Sequence, residues 1–318
     1  MFQSRRTMIG LIAGLLATGL AAPLLAAQEL KEVRIGFQKA GIFPVVKQRR
    51  TLETIFKARG IDVKWVEFQF GPPILEAINT GNVDFGYTGD APPIFAQAAR
   101  ANLLYVAAVP SAGYNQGIVV PDSSPIRTLA DLKGKKVGFA KGSSAHNTTV
   151  AALEKAGLAY TDITPVTLNP ADAVAAFAGG NIDAWSIWDP YLALAENGKV
   201  RVIAFAKDVQ DSNSFFLANK DFTTKHPDIV ALLNQTFNDE GKWAVDHRAE
   251  VSTSLREATG VDQAATTRAV NRSQYAVTPI TDKIIATQQE TADRFFKLGL
   301  IPKAVNVRDI VWKWTPGS

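Results

Sequence analysis

Two copies of one short motif decide the fold of this chain. GNVDF occupies residues 81–85 and GNIDA occupies residues 180–184, an offset of 99 residues (180 minus 81). A second pair agrees with the first, because VRIGFQK at 33–39 resembles KVGFAK at 136–141 at an offset of 102 (138 minus 36). Matches that keep their order at nearly one offset indicate an internal repeat. The sequence therefore predicts two related lobes.

Each copy of the repeat alternates short strands with helices. This pattern predicts an α/β fold in which each lobe is a mostly parallel sheet flanked by helices. In such sheets, ligands bind at the carboxyl ends of the strands, and the loops discussed below lie there. The predicted strands are 33–37, 62–68, 83–87, 136–139, 164–167 and 184–187, and the predicted helices are 45–59, 74–78, 148–156 and 173–177.

The second lobe is predicted to be inserted into the first. The extended stretch 111–121 would cross into it and 208–217 would cross back, after which helices in 222–246 and 250–263 would complete the first lobe. Two crossing segments form a hinge, and a ligand between the lobes would close it. The predicted lobes are 28–116 plus 213–318 for lobe 1, and 117–212 for lobe 2.

The first 27 residues have the layout of a secretory signal. Arg5 and Arg6 precede an apolar run at 9–20, and small residues offer a cleavage site near Ala27. We therefore predict export to the periplasm, by either the ordinary or the twin-arginine route. A transmembrane anchor is the alternative for this stretch. Cleavage would lower the formal charge from +4 to +2, because only two arginines are lost.

The composition argues against several classes of function. The chain has no cysteine and only three histidines, which excludes thiol catalysis and cysteine-based metal sites. No nucleophile elbow, P-loop or H-E-x-x-H motif is present. The basic groups do not cluster into a stripe, so a nucleic-acid partner is not expected. We predict a monomeric binding protein that is not an enzyme and has no cofactor.

The first candidate loop combines a glycine with two serines. Ser143 and Ser144 follow a predicted strand and open a predicted helix. Free backbone N–H groups, the positive end of the helix dipole and two hydroxyls suit a phosphate, sulfate or sulfonate. The alternative is that a serine only caps the helix.

Two further loops carry an aspartate ahead of a proline. Gly89 would let the backbone approach a ligand, and Asp90 would either contact the ligand or cap the next helix. In the second copy, Trp188 offers an apolar wall and an N–H donor, whereas alternation sends Trp185 into the core. Asp189 again resembles a helix cap followed by proline at the first helical position. Core packing is the alternative for Trp188.

Other polar residues complete the candidate site. Gln38 ends the first strand and could donate to a ligand, whereas Lys39 is expected on the surface. Ser214 lies on the return crossover, where hinge and ligand contacts coincide. His146 is expected to be structural. The predicted ligand-binding set is Gln38, Gly89, Asp90, Ser143, Ser144, Trp188, Asp189 and Ser214.

These motifs together resemble the aliphatic-sulfonate-binding proteins of bacterial ABC importers. The resemblance covers nearly all of the chain after residue 27, although taurine- and nitrate-binding relatives share several of the motifs. The segments that carry it are GFQK at 36–39, WVEF at 65–68, GP at 71–72, TGD at 88–90, PIFAQAA at 93–99, KGSS at 141–144, HN at 146–147, NPADA at 169–173, DAW at 183–185 and IWDPY at 187–191.

The resemblance implies a type II periplasmic-binding-protein fold and a role in sulfur acquisition. It implies that the Gly89–Asp90 and Ser143–Ser144 loops hold sulfonate oxygens, that Trp188 lies beside the organic part, and that membrane permease subunits of the importer are partners. Residue chemistry alone supports only an anion. The alternatives are taurine or nitrate binding, an extracytoplasmic sensor, and an enzyme similar to pyrimidine-precursor synthases on the same fold.

Overall fold

The computed structural model describes residues 30–317, so the predicted signal at 1–27 lies outside the described residues. Within these residues, ten strands form two separate five-stranded sheets. The strands are β1 Glu32–Phe37, β2 Asp62–Glu67, β3 Phe85–Thr88, β4 Leu103–Pro110, β5 Gln116–Pro121, β6 Lys136–Phe139, β7 Thr164–Thr167, β8 Ala184–Trp188, β9 Val200–Phe205 and β10 Asn213–Asn219.

The strand orders are β2-β1-β3-β10-β4 and β7-β6-β8-β5-β9. Both sheets thus have the same topology, which confirms the predicted two-lobed α/β fold. In the first sheet β1 pairs in parallel with β2 and β3, and in the second sheet β6 pairs in parallel with β7 and β8. The fourth strand of each sheet, β10 or β5, is antiparallel to both neighbours. The chain enters that strand directly after crossing from the other lobe. It therefore arrives at the carboxyl edge of the sheet and must run antiparallel to the other strands. The remaining four strands of each sheet share one direction.

The internal repeat is visible as a matched set of hydrogen bonds. The Arg34 N–H donates to Asp84 Oδ2 at 2.7 Å, and the Lys136 N–H donates to Asp183 Oδ2 at 2.7 Å. In return, the Asp84 and Asp183 N–H groups donate to the carbonyls of Arg34 and Lys136, both at 2.8 Å. Each aspartate thus fixes the start of the third strand of its lobe against the first strand.

Helices cover the sheets and extend the first lobe after β10. They are α1 Phe43–Arg49, α2 Thr51–Lys57, α3 Gly71–Asn79, α4 Ala91–Ala98, α5 Ser144–Lys155, α6 Pro170–Ala178, α7 Tyr191–Ala195, α8 Lys220–Lys225, α9 Pro227–Asp246, α10 Arg248–Thr259, α11 Gln263–Arg272 and α12 Asp282–Lys297. Within the described part, no helix is both long and apolar enough to cross a membrane.

The prediction of one continuous helix over 45–59 is wrong. Arg50 has φ 55°, in the left-handed region, and separates α1 from α2. The residues on both sides of the break hold one buried carboxylate of α9, because Arg49 Nε and Thr51 Oγ1 each donate to Glu240 at 2.8 Å. This contact joins residues 191 positions apart, so no local pattern indicates it.

Other predicted helix boundaries also shift. The helix predicted over 148–156 begins at Ser144, and 222–246 contains two helices because Pro227 starts a new one after His226. The helix predicted over 250–263 is α10, which ends at Gly260 in the left-handed conformation (φ 73°) that glycine favours at a helix end.

Each lobe has its own apolar core. In the first lobe, Phe43 stacks on Phe237 with ring centroids 4.2 Å apart, and Phe85 and Phe216 complete this aromatic group. The second lobe packs α5 and α6 on opposite faces of its sheet. The chain crosses between the sheets in the intervals 111–115 and 206–212. The lobe boundaries at 116/117 and 212/213 stay a prediction.

Candidate ligand site

A cavity of about 80 Å³ lies between the two lobes, at the carboxyl ends of the strands. It is small, so only a compact group fits inside it without movement of the walls. The first lobe contributes residues that follow β1 and β3, and the second lobe contributes residues that follow β6 and β8. Of the predicted site residues, the wall contains Gln38, Gly89, Ser143, Ser144, Trp188, Asp189 and Ser214.

Three helices begin at the cavity. Gly71, the first residue of α3, lines it, as do Gly89 and Pro92 around the start of α4 and Ser144 at the start of α5. The first N–H groups of a helix have no partner within the helix, and the helix dipole is positive at this end. Asp189 is the only charged residue among the described residues of the wall. The site therefore offers neutral donors and dipoles to an anion.

Gly89 brings the backbone of the first lobe against a serine of the second lobe. A Cβ atom on Gly89 would lie 2.7 Å from Ser144 Cβ, which is closer than real Cβ atoms approach. The glycine is therefore required by a close approach to a protein residue, and the predicted approach to a ligand stays a prediction. The two predicted ligand loops thus meet each other directly.

The two serines of the second loop have different roles. Ser143 is the N-cap residue, but its hydroxyl donates to the Ala140 carbonyl at 2.7 Å and makes no capping bond. Among the described residues, the Ser144 hydroxyl has no hydrogen-bond partner. The Ser144 carbonyl accepts from Gln116 Nε2 at 2.9 Å. Ser144 is therefore the serine whose hydroxyl is available to a ligand.

The two tryptophans of β8 lie on opposite faces, as alternation predicts. Trp185 is 2% exposed and packs in the core beside Phe177, at 5.8 Å between ring centroids. Trp188 is half-buried and lines the cavity. Its indole is the large apolar surface of the wall.

Asp189 lies at the wall and also caps helix α7. Relative to the start of that helix, it stands one residue earlier than the sequence predicted. Pro190, after a cis peptide bond, is the N-cap of α7 and not its first residue. Asp189 Oδ1 nevertheless accepts from the Ala193 N–H at 2.9 Å. Burial raises the pKa of Asp189 to about 7, and the positive charge of Arg272 opposes this rise. The Arg272 guanidinium is 3.8 Å from Asp189 and also pairs with Glu196 at 2.7 Å.

Asp90 differs from the other predicted site residues because it does not line the cavity. Its side chain is fully enclosed behind the wall, where Oδ1 accepts from the Ala91 N–H and Oδ2 accepts from Asn147 Nδ2, both at 2.7 Å. Burial raises the pKa of Asp90 to about 6, and the Asn147 hydrogen bond opposes this rise. The structure thus places Asp90 in the capping role that the sequence left as the alternative.

Gln38 and Ser214 approach the cavity from β1 and β10, which lie on either side of β3 in the first sheet. Gln38 Nε2 donates to the Tyr87 carbonyl at 3.1 Å, which leaves one of its two N–H groups for other partners. Burial raises the pKa of the Tyr87 phenol, and a hydrogen bond with Ser214 opposes part of this rise. Tyr87 also belongs to the wall, although no sequence motif marked it as a site residue.

Two residues that were not predicted to contact a ligand, Lys39 and His146, are absent from the cavity wall. Lys39 pairs with Glu67 at 3.1 Å on the surface. His146 is 1% exposed and stacks on Phe139 at 4.8 Å, while its Nδ1 accepts from the Gly142 N–H. Burial and the nearby Lys141 lower the pKa of His146 to about 4.

Two further segments bring polar residues to the wall that were not predicted from the sequence. One is 111–116, which ends at the first residue of β5 and was predicted as part of a crossing but without ligand contacts. The other follows α11, and no motif marks it. Across residues 30–317, no group of acidic or histidine side chains could hold a metal ion. The polar wall residues on these two segments are Ser111, Asn115 and Gln116, and Ser273 and Gln274.

Comparisons with known proteins agree with this architecture. A family model described as NMT1/THI5 like matches residues 55–251. A relative from Escherichia coli K12, named as an aliphatic sulfonates-binding protein, is 41% identical over 308 residues, which cover 96% of this chain and 95% of that protein.

Two solved structures are similar over most of the chain. The alkanesulfonate-binding protein of Xanthomonas axonopodis pv. citri, bound to MOPS, has a TM-score of 0.85 and 41% identity over 90% of this chain and 99% of that one. The periplasmic aliphatic sulphonate binding protein of Escherichia coli has a TM-score of 0.82 and 40% identity over 91% and 94%. The resemblance predicted from the motifs is confirmed. The chain belongs to the NMT1/THI5-like family and, within it, to the group of the aliphatic-sulfonate-binding proteins.

Proposed function

We propose that this protein captures aliphatic sulfonates outside the cytoplasmic membrane and delivers them to the permease of an ABC importer. The observation that carries this proposal is the interlobe cavity, where three helices begin and no lysine or arginine is among the described wall residues. Such a site can bind an anion through neutral donors and release it again without breaking an ion pair. Relatives named for sulfonate binding, at about 40% identity, support the choice of anion.

The wall suggests how such a ligand is oriented. The sulfonate oxygens would accept from the backbone around Gly89, from the start of α5 and from the Ser144 hydroxyl. Because the cavity holds only a compact group, the organic part would extend along Trp188. Bare sulfate and nitrate lack a part that could use this indole surface, so they should bind less well.

We further propose that the protein is not an enzyme. The described wall contains no histidine, and the nearest one in sequence to the serine loop, His146, is enclosed by aromatic rings behind it. Asp189 is the one wall carboxylate, and its Oδ1 already accepts a helix N–H. A sulfonate recovered unchanged after long incubation with the protein would agree with capture, whereas a product peak in the chromatogram would favour the enzyme alternative.

Export and organisation belong to the same proposal. Cleavage near Ala27 would release a monomer into the periplasm, with lobe 1 formed by 28–116 plus 213–318 and lobe 2 by 117–212. Mass spectrometry of the secreted protein gives the cleavage site directly. A mature chain that begins far from residue 28 would contradict this part.

Thermal unfolding with a ligand panel tests the proposed function. The panel contains several alkanesulfonates, taurine, nitrate, sulfate and a pyrimidine precursor. A ligand at about 100 times its dissociation constant adds roughly 2.7 kcal/mol to the free energy of unfolding, which raises the melting temperature visibly. We expect the largest rise with alkanesulfonates and little or none with nitrate and sulfate. A rise in melting temperature with only taurine, only nitrate or only the pyrimidine precursor, and none with alkanesulfonates, would overturn the proposed ligand class.

A further inference from the structure

A buried polar cluster joins the two lobes directly behind the ligand loops. Asp90 of the first lobe accepts from Asn147 Nδ2 of α5, and Asn147 Oδ1 in turn accepts from Arg294 Nη1 at 3.1 Å. Asn147 is one turn along α5 from Ser144. The cluster therefore fixes the two elements that meet at the Gly89–Ser144 contact, while none of its three members lines the cavity.

Arg294 donates to three residues in two parts of the chain. Its Nε donates to Glu154 at 2.9 Å, at the far end of α5, and its Nη1 donates to Asn147 and to Gln210 Oε1 at 3.3 Å. Gln210 lies on the segment that crosses back to the first lobe. One guanidinium thus holds α5 of the second lobe and the return crossover.

The helix that carries Arg294 is anchored in the first lobe. On α12, Ile285, Ala292 and Phe295 belong to the same apolar core as Ile94 of α4, and this core also reaches Val150 of α5. Phe295 also contacts the ring of His146 on α5, with centroids 5.3 Å apart. Movement of the lobes about the crossing segments would change the distances from Arg294 and Phe295 to their partners on α5, because α12 and α5 belong to different lobes.

We propose that Arg294 is a positioning residue that holds the lobes in the arrangement where the Gly89 and Ser144 loops meet, and that it sets ligand affinity without touching the ligand. The part about affinity rests on the proposed function, whereas the part about lobe arrangement does not. When only a fraction of molecules has the binding-competent arrangement, the apparent dissociation constant is the intrinsic one divided by that fraction. Loss of Arg294 should therefore weaken every sulfonate by one common factor.

The arrangement of the lobes can be measured without any ligand. The chain has no cysteine, so Glu76→Cys on α3 and Ala175→Cys on α6 provide two exposed and unique sites for spin labels, one on each lobe. In this labelled background, Arg294→Gln should shift the distance distribution from double electron–electron resonance to longer distances. The dissociation constants of a short and a long alkanesulfonate should rise by the same factor, roughly tenfold if the competent fraction falls tenfold.

Two further variants control this experiment. Lys297→Gln removes the same charge one turn further along α12, where the side chain is exposed, and should leave distances and affinities unchanged. Arg294→Lys keeps the charge but loses the planar fork, so it should give an intermediate shift even if Arg294→Gln does not fold.

The outcomes separate this inference from the proposed function. Wild-type distances in folded Arg294→Gln or Arg294→Lys would overturn the positioning role, whatever the ligand. Longer distances with no sulfonate binding by the wild-type protein would keep the positioning role and overturn the proposed function. Unequal weakening of the short and long sulfonates would show that Arg294 acts on the ligand itself, which contradicts the inference.

Discussion

The Asp189 carboxylate faces the Arg272 guanidinium at 3.8 Å, at the edge of a cavity whose other described wall residues are neutral. Glu196 and Arg268 are the other charges that influence Asp189, and they act in opposite directions. Burial dominates and raises the pKa of Asp189 to about 7. A bound anion would raise this pKa further, because it repels the ionised carboxylate.

Sulfonate affinity should therefore increase as the pH falls from about 8 to about 6. The complex binds a proton more tightly than the free protein, so lowering the pH through about 7 favours the complex, by about tenfold per pH unit at most for one proton. Titration calorimetry in two buffers of different ionisation enthalpy would detect the proton uptake. Asp189→Asn should bind with an affinity that is flat over this range. A pH dependence that persists in this variant would place the titrating group elsewhere.

Gly89→Ala should weaken ligand binding by forcing the two loops apart. The new Cβ would lie 2.7 Å from Ser144 Cβ, so the lobes cannot keep their present approach. Since Gly89 does not have a positive φ, alanine adds no backbone strain of its own.

A double-mutant cycle isolates this contact. In a Ser144→Gly background the obstructing Cβ is absent, so adding Gly89→Ala should cost much less affinity than it does in the wild-type protein. Dissociation constants of the four proteins give the coupling directly. Equal costs in both backgrounds would mean that the Gly89–Ser144 approach does not control binding.

The two serines of the α5 loop should respond differently to alanine. Ser143→Ala removes a buried hydrogen bond to the Ala140 carbonyl and should lower the free energy of unfolding by about 1 kcal/mol. Ser144→Ala removes a hydroxyl that has no partner among the described residues, so it should leave stability nearly unchanged and weaken sulfonate binding. Chemical denaturation and calorimetry measure the two effects separately. The opposite pattern would exchange the roles assigned to the serines.

Features that repeat or that are local could be predicted from the sequence, whereas features that depend on distant contacts could not. Asp84 and Asp183 could be recognised because each belongs to a copy of the same motif, so two lobes and their strands followed. The break at Arg50 could not be predicted, because it is associated with Glu240 of α9. Gln116, the first residue of β5, reaches the wall directly after a crossing segment whose path the local sequence does not specify.

Among the site residues, too, those that belong to the repeat could be predicted and those that depend on distant contacts could not. The loops at Gly89 and Ser144 follow strands of the repeat, so their meeting at one cavity could be predicted from the topology. The cavity-lining residue Gln274 lies beyond the repeat, on a segment that no motif marks. The prediction that Asp90 contacts the ligand did not anticipate Asn147, which holds the Asp90 carboxylate behind the wall.

Replacement of Trp188 should affect sulfonates according to the size of their organic part. Trp188→Ala removes the largest apolar surface of the wall, so ligands with long or cyclic tails should bind less tightly by a larger factor than methanesulfonate does. The expected penalty is roughly 25 cal/mol for each Å² of apolar ligand surface that the indole no longer covers. Calorimetry with a series of alkanesulfonates of increasing length measures the slope of binding free energy against tail length. That slope should flatten in the variant.

Trp185→Phe is the matched control on the same strand. Trp185 is buried in the second lobe, away from the cavity, so this change should lower the free energy of unfolding and leave the slope against tail length intact. Equal reductions in affinity for methanesulfonate and the long sulfonates in Trp188→Ala would place the tail away from Trp188.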